Sequence, residues 1–322
     1  MLRFVLRRTA SLVFVLFSIS VLVFLIFFAT PGADPSARIA GRNASQATLA
    51  QVRASFGFDR SMPVQYGLMM RHLFVDRDLT SFVNRGAKVL PQVTSAVPVT
   101  FSLVLGAAVI WVVVAVAGGL AAARWRGTWV DPVIMVLGVV GVSLPVYWLG
   151  EVVNLLTQSR FHDSLFRWVP PLGYAPMSAG VGTWALHLLF PWLTLAVLYA
   201  GIYARVLRGE LVTALAEDYV RTARAKGASE RRVLVRHALR CSLIAFVSLF
   251  GLDFGALVGG YALLTEVVFG LQGIGKLTYD SLRNYDLPVI MATVVYAAFF
   301  VVVANALVDL LYARLDPRVR HV

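Results

Sequence analysis

Charge is scarce in this chain, and cysteine is almost absent. Only 14% of its 322 residues are Asp, Glu, Lys or Arg, against about 25% in an ordinary globular domain. The charges sit in clusters, and the runs between them carry none, which excludes a surface that faces water all round. The single cysteine, Cys241, excludes an internal disulfide and a cysteine metal cluster. The 5 histidines (His72, His162, His187, His237 and His321) lack the spacing that sets two imidazoles on one helical face, so no metal site is expected. Gly270 to Lys276 begins like a phosphate-binding loop, but Leu277 stands where that motif needs Ser or Thr for magnesium. No nucleophile–base pair can be argued from spacing either. Nothing here makes the chain an enzyme by itself.

What the chain has is apolar length. Hydrophobic residues make up 59% of it, and they gather into runs near the roughly 20 residues that a membrane helix needs. Ala10 to Ala29 is the first run and Val97 to Ala123 the second. Pro132 to Gly150 begins the third, which continues past Glu151 to about Thr157. The fourth lies within Gly180 to Ala204, broken only by His187 and Pro191. The fifth runs from Cys241 to about Thr265, interrupted by Asp253, and the sixth from Leu287 to Val308. The fold class is therefore all-α, a polytopic membrane protein with about six transmembrane helices. The first run exceeds the length of a signal-peptide core, and Pro31 spoils cleavage after Thr30, so it reads as an uncleaved anchor.

The net charge of +12 would suggest nucleic acid in a soluble chain. Here Lys and Arg crowd beside apolar runs and no nucleic-acid motif accompanies them, so no nucleic-acid partner is expected. Arg3, Arg7 and Arg8, then Arg124 and Arg126, the stretch Arg205 to Arg240, and Arg314, Arg318 and Arg320 all fall on one side. By the positive-inside rule both termini are cytoplasmic. The chain divides into residues 1–30, the tail and first span; 31–96, an extracytoplasmic cap; and 97–322, a five-span core with a cytoplasmic loop at 209–240. Within the cap, Ser45 can cap a helix carrying Leu49, Val52 and Phe56 and ending at Gly57. Val64 to Phe74 reads as a second short helix. The sequon Asn43-Ala44-Ser45 carries little weight at three residues.

The informative loop is Glu217-Asp-Tyr-Val-Arg-Thr-Ala-Arg-Ala-Lys-Gly227, followed by Ala228-Ser-Glu-Arg-Arg232. Acidic residues open it and Arg224 and Lys226 close it, matching a helix dipole. Gly227 suits the left-handed residue that ends a helix, and Ser229 can start the next. Ala223, Ala225 and Gly227 leave little bulk on one side. Composition alone would allow a solvated basic loop.

At these residues the chain resembles the dipeptide/oligopeptide branch of ABC importer permeases. Glu217 to Gly227 and Arg236-His-Ala-Leu-Arg240 stand in the form of that branch's signature loop, with Arg221-Thr222-Ala223 in place of the general Glu-Ala-Ala. The resemblance covers nearly the whole chain. It includes Pro31-Gly-Ala-Asp-Pro35, Phe56-Gly-Phe-Asp-Arg60, Val64-Gln-Tyr66, Thr265-Glu-Val-Val-Phe269, Gly273-Ile-Gly275 and Leu315-Asp-Pro-Arg318. It implies a permease subunit that lines half of a pathway for di- or oligopeptides. The implied partners are a second homologous permease, two cytoplasmic ATPase subunits or domains, an extracellular solute-binding protein, and the surrounding lipid. ATP and magnesium would belong to the ATPase, and this chain would hold no cofactor. Asp218, Tyr219, Arg221, Thr222, Ala223, Arg224, Ala225, Lys226 and Gly227 would form the surface that docks on the ATPase.

Four residues are candidates for the pathway. Glu151 and Asp253 are mid-span carboxylates, which normally face protein or water. Both depart from the family's pattern, as do Cys241 and Ala245. They suggest a preference for cationic substrates, or pairing with a partner subunit. Gly255 and Gly259, beside Gly260, permit close helix packing or exposure of backbone to the pathway. The same scaffold resembles importers of nickel complexes, glutathione and some sugars. A rival from another class is an ion-coupled secondary transporter with Glu151 and Asp253 as a proton relay; like a receptor or scaffold, it leaves Asp218 to Gly227 without a use.

Overall fold

The computed structural model describes residues 2–29, 36, 45–84, 86–159 and 161–315. Among the described residues the chain is helical, with one isolated bridge between Thr80 and Lys88. Helix α1 (Leu2–Ala29) is followed by two short helices, α2 (Gln46–Phe56) and α3 (Met62–Arg71), the latter prolonged by a π turn, His72–Asp76. Then come α4 (Val89–Arg124), α5 (Val130–Ser143), α6 (Val146–Gln158), α7 (Val181–Ala216) and α8 (Asp218–Ala225). Helix α9 (Glu230–Tyr261) contains two π turns, Val233–Ala238 and Leu257–Tyr261. Helices α10 (Leu263–Val268), α11 (Ile274–Asn284) and α12 (Leu287–Leu315) complete the chain.

Five helices, α1, α4, α7, α9 and α12, are long and apolar enough to cross a membrane. The third apolar run differs from the expected straight span: α5 and α6 pass the same test only together, and they meet at 92°. The cause is local. Leu144 precedes Pro145, whose ring disfavours helical backbone one residue earlier, and Leu144 is extended at φ −82°, ψ 125°. Pro191, by contrast, lies inside α7 without ending it. Helix α4 begins at Val89, so the last residues assigned to the cap belong to the span. Helix α9 begins at Glu230 rather than Cys241. It stops at Gly260, whose φ of +112° breaks the helical path.

The short helices follow their sequence signals. The Ser45 carbonyl accepts the Leu49 N–H at 2.9 Å, and Gly57 turns left-handed at φ +69°. The cap packs on α1 and α12 through Phe24, Met69, Phe82, Leu287 and Met291. Ser20 and the Tyr66 hydroxyl join across it at 2.7 Å. The Pro31–Pro35 motif, Asn43, residues 316–318, and the side chains of Val52 and Phe56 lie outside the described residues.

Close contact between spans is made by small residues. Helices α4 and α7 run parallel, with Trp192 over Gly106 and Leu207 over Gly119, where an added Cβ would lie 3.0 Å from the Leu207 Cβ. Helix α5 crosses α7 in the opposite sense at Gly138 and Gly201, and a Cβ on Gly138 would be 3.2 Å from the Gly201 carbonyl oxygen. Helix α9 lays Gly251, Gly255 and Gly259 against Val308, Ala304 and Ala297 of α12. Lipid tails are as apolar as leucine, so helices in a bilayer associate by such close packing rather than by burial from water. A side chain of any size in these seams must push two helices apart.

Gly255→Val therefore lowers stability by about 1–3 kcal/mol, the usual cost of overpacking. Gly182→Ala, where nothing lies within 4 Å of the new methyl, has no measurable effect. Thermal unfolding in detergent, followed by size-exclusion chromatography, checks both; equal midpoints would disprove the seam.

Candidate functional site

The segment 217–230 folds as its residues suggest. Glu217 takes the extended N-cap position of α8, and Asp218 sits in the first turn. The helix ends in a Schellman motif: the Ala228 N–H reaches the Ala223 carbonyl at 3.1 Å, and the Gly227 N–H reaches the Arg224 carbonyl at 2.9 Å. Gly227 carries the required left-handed backbone at φ +81°. Ser229 stands at the next N-cap, but its side chain makes no capping hydrogen bond. Arg224 reaches across the break to grip Glu230 through two hydrogen bonds, 2.7 and 3.1 Å.

Helix α8 is anchored on one side and open on the other. Val220 is fully buried, and the helix packs against the end of α7 and the π turn Val233–Ala238 of α9. Asp218, Tyr219, Arg221, Thr222, Arg224, Ala225, Lys226 and Gly227 are exposed, with Ala223 half-buried. Partial burial, with a hydrogen bond to the Cys241 thiol second, pushes the Tyr219 phenol up to about 12. Nothing lies within 4 Å of a side chain added at Gly227. The result is a preformed helix presented outward from the ends of two spans. Near the same end of α7, Arg208 binds Asp131 at the start of α5 through paired hydrogen bonds of 2.5 and 2.6 Å.

At the other end of the bundle lies a site that sequence reasoning missed. Glu266 is fully buried. Its carboxylate accepts the Thr100 hydroxyl at 2.5 Å and the Lys276 N–H at 2.8 Å, while the Thr100 oxygen accepts the Ile274 N–H at 2.8 Å. Glu266 and Thr100 together satisfy two free amides at the start of α11 and tie it to α4, while burial pushes the Glu266 carboxyl above its usual range. Gly273 leaves the space that this carboxylate fills. A Cβ on Gly275 would be 2.6 Å from the Gly260 carbonyl. The strings Thr265–Phe269 and Gly273–Gly275 were signals of resemblance only; contact between them gives both a physical reason. Asp286 does a similar job nearby, accepting the Ser81 hydroxyl and the Phe82 N–H, the latter at 2.9 Å.

The pathway candidates are scattered. Glu151 is exposed on α6, and among the described residues it has no hydrogen bond or ion pair. Asp253, part-buried in α9, accepts the Tyr203 hydroxyl of α7 at 2.6 Å. No contact joins the two carboxylates. Gly255 and Gly259 are both buried in the α9–α12 seam, so of the two uses weighed for them the structure provides packing. Sequence spacing sets no two imidazoles on one helical face. The fold instead sets His72 Nδ1 2.7 Å from Asp78 and 3.7 Å from Asp76. The His72 hydrogen bond holds the Asp78 carboxyl below its usual range. Asp76 is already paired with Arg71 at 3.1 Å.

Residues 115–321 match the sequence model of the binding-protein-dependent transport system inner membrane component, and residues 1–104 match that of its N-terminal part. A probable peptide ABC transporter permease of Sinorhizobium fredii is 35% identical over 318 residues, 99% of each chain. The glutathione transport system permease of Salmonella choleraesuis is 38% identical over 321 residues, the full length of both.

Removing the Glu266 carboxylate strands buried donors, each worth about 1–3 kcal/mol. Glu266→Ala accordingly loosens α11, and trypsin cuts after Lys276 at least roughly tenfold faster than in the wild type. Equal cleavage rates would show that α11 does not depend on this carboxylate.

Proposed function

Because the chain belongs to the family of binding-protein-dependent transport-system inner-membrane components, we propose that it is the permease subunit of an ATP-driven importer of di- or oligopeptides. It is a multi-pass inner-membrane protein of a transport system, and in this reading both termini face the cytoplasm. It lines half of the pathway beside a second, similar permease. Two ATPase subunits or domains hydrolyse ATP on the cytoplasmic side, and a solute-binding protein delivers the substrate outside. The peptide assignment draws on the S. fredii relative's name.

The observation that carries the coupling role is helix α8 itself. A segment that only met the positive-inside rule would need no defined shape. This one is closed by a Schellman turn, clamped by Arg224 and Glu230, and seated by Val220 against α7 and α9. A push on its exposed face passes to two spans at once. The π turn under it departs from regular α geometry, as helices often do at functional sites. A proton relay through Glu151 and Asp253 has less support, since no hydrogen bond joins them. A second substrate reading, glutathione, draws on the Salmonella relative. Glutathione is itself a short peptide, so the two readings share a mechanism.

Gly227→Arg places a large side chain on the open face and strains the left-handed turn by about 1 kcal/mol. The variant inserts and folds, yet loses the co-purifying ATPase and at least about nine-tenths of ATP-dependent peptide uptake in proteoliposomes, an effect of about one factor of ten. Normal uptake by this variant would remove α8 from the coupling role. Wild-type uptake without any ATPase would overturn the importer reading.

A further inference from the structure

Asp253 is an acidic side chain in the last third of a helix long and apolar enough to cross the membrane. Among the described residues no Lys, Arg or His pairs with it; its hydrogen-bond partner is the neutral Tyr203 phenol, at 2.6 Å. Tyr203 is itself fully buried and cannot turn away to water. A carboxylate in such a place is costly unless it meets a counter-charge. The described residues supply none, and Asp253 keeps part of its surface open.

Through Tyr203 this carboxylate joins a cluster of aromatic rings. Tyr199 lies 6.4 Å from Tyr203 and stacks on Trp111 at 4.9 Å; Phe250 lies 5.7 Å from Trp111 and stacks on Phe254 at 5.5 Å. Tyr199, Phe250 and Phe254 are, like Asp253, only partly buried. A fixed carboxylate linked to partly exposed aromatic rings can bind an alkylammonium, through charge and ring quadrupole together. Anionic groups are repelled by it, and neutral ones gain only the aromatic part.

We propose that Asp253 and the rings beside it form a specificity-determining site for the ammonium group of a basic peptide as it passes the spans. The inference rests on the importer reading. Tyr203 is a positioning residue here: its hydroxyl holds the carboxylate toward the rings, and the ammonium meets Asp253. The ammonium comes from a lysine side chain or from a free N-terminus, and the choice of peptides separates the two.

The test uses the complete transporter, with both permeases, the ATPase and the binding protein, reconstituted in liposomes. ATP-dependent uptake of Ala-Lys-Ala, Ala-Ala-Ala and N-acetyl-Ala-Ala-Ala is compared in the wild type, Asp253→Asn, Asp253→Glu and Tyr203→Phe. Asp253→Asn is expected to lower the uptake ratio of Ala-Lys-Ala to Ala-Ala-Ala by about tenfold, the scale of one lost favourable contact. Asp253→Glu keeps most of that preference, and Tyr203→Phe loses part of it. If the ratio that falls is instead Ala-Ala-Ala to its acetylated form, the N-terminus is the group recognised. Unchanged ratios in Asp253→Asn would overturn the proposal. So would loss of the second permease on purification of Asp253→Asn, because the carboxylate would then pair with that subunit. No ATP-dependent uptake of any peptide by the wild type would overturn the importer reading itself, and this inference with it.

Discussion

Close approach of helix backbones is the constraint on which the rest of this structure depends. In a bilayer, helices gain little from hiding apolar side chains from each other's surroundings, because lipid is equally apolar. What holds them is contact at short range. The three seams α4–α7, α5–α7 and α9–α12 each place glycine where a neighbour's backbone or large side chain comes within van der Waals distance. Trp192 over Gly106 shows the logic from the other direction, since the indole N–H also donates to the Ser102 carbonyl at 2.9 Å. Shape and hydrogen bonding agree at the same point. Such a bundle transmits displacement well, because packed seams slide or rotate rather than compress.

Polar nodes then fix the ends of the packed spans. Glu266 and Thr100 close the amide end of α11; Asp286 anchors the loop 81–84 to the start of α12; Arg208 and Asp131 join α7 to α5. Each node pairs a charge or hydroxyl with groups that would otherwise be buried without partners. In the interior of such a molecule an unpaired group is expensive, so these contacts specify one arrangement and reject its neighbours.

Helix α9 joins the features on which the proposed transport role rests. Its first π turn receives α8, its last third carries Asp253, and one face forms the glycine seam with α12. It ends at Gly260, against Gly275 of the segment held by Glu266. A displacement entering at α8 therefore has one continuous element along which to reach both the mid-span carboxylate and the far end of the bundle.

The sequence alone determined the class of the protein and most of its helices, because bilayer thickness sets a length that apolar runs must match and backbone satisfaction in lipid requires helices. It also determined the shape of α8, since Glu217, Gly227 and Ala228 act through bonds only a few residues apart. Tertiary structure decided what no local signal contains. The third apolar run breaks at Leu144-Pro145 while Pro191 leaves α7 unbroken, a contrast that residue type alone does not contain. Gly255 and Gly259 allowed two uses, and the presence of Ala304 and Ala297 opposite them selected packing. Glu266 lay inside a familiar string without a role until Thr100, 166 residues away, was brought to 2.5 Å. Asp253 was visible as a mid-span carboxylate, but its phenol partner, Tyr203, comes from another helix. Contacts of this kind link residues that no periodicity connects, and only the folded chain brings them together.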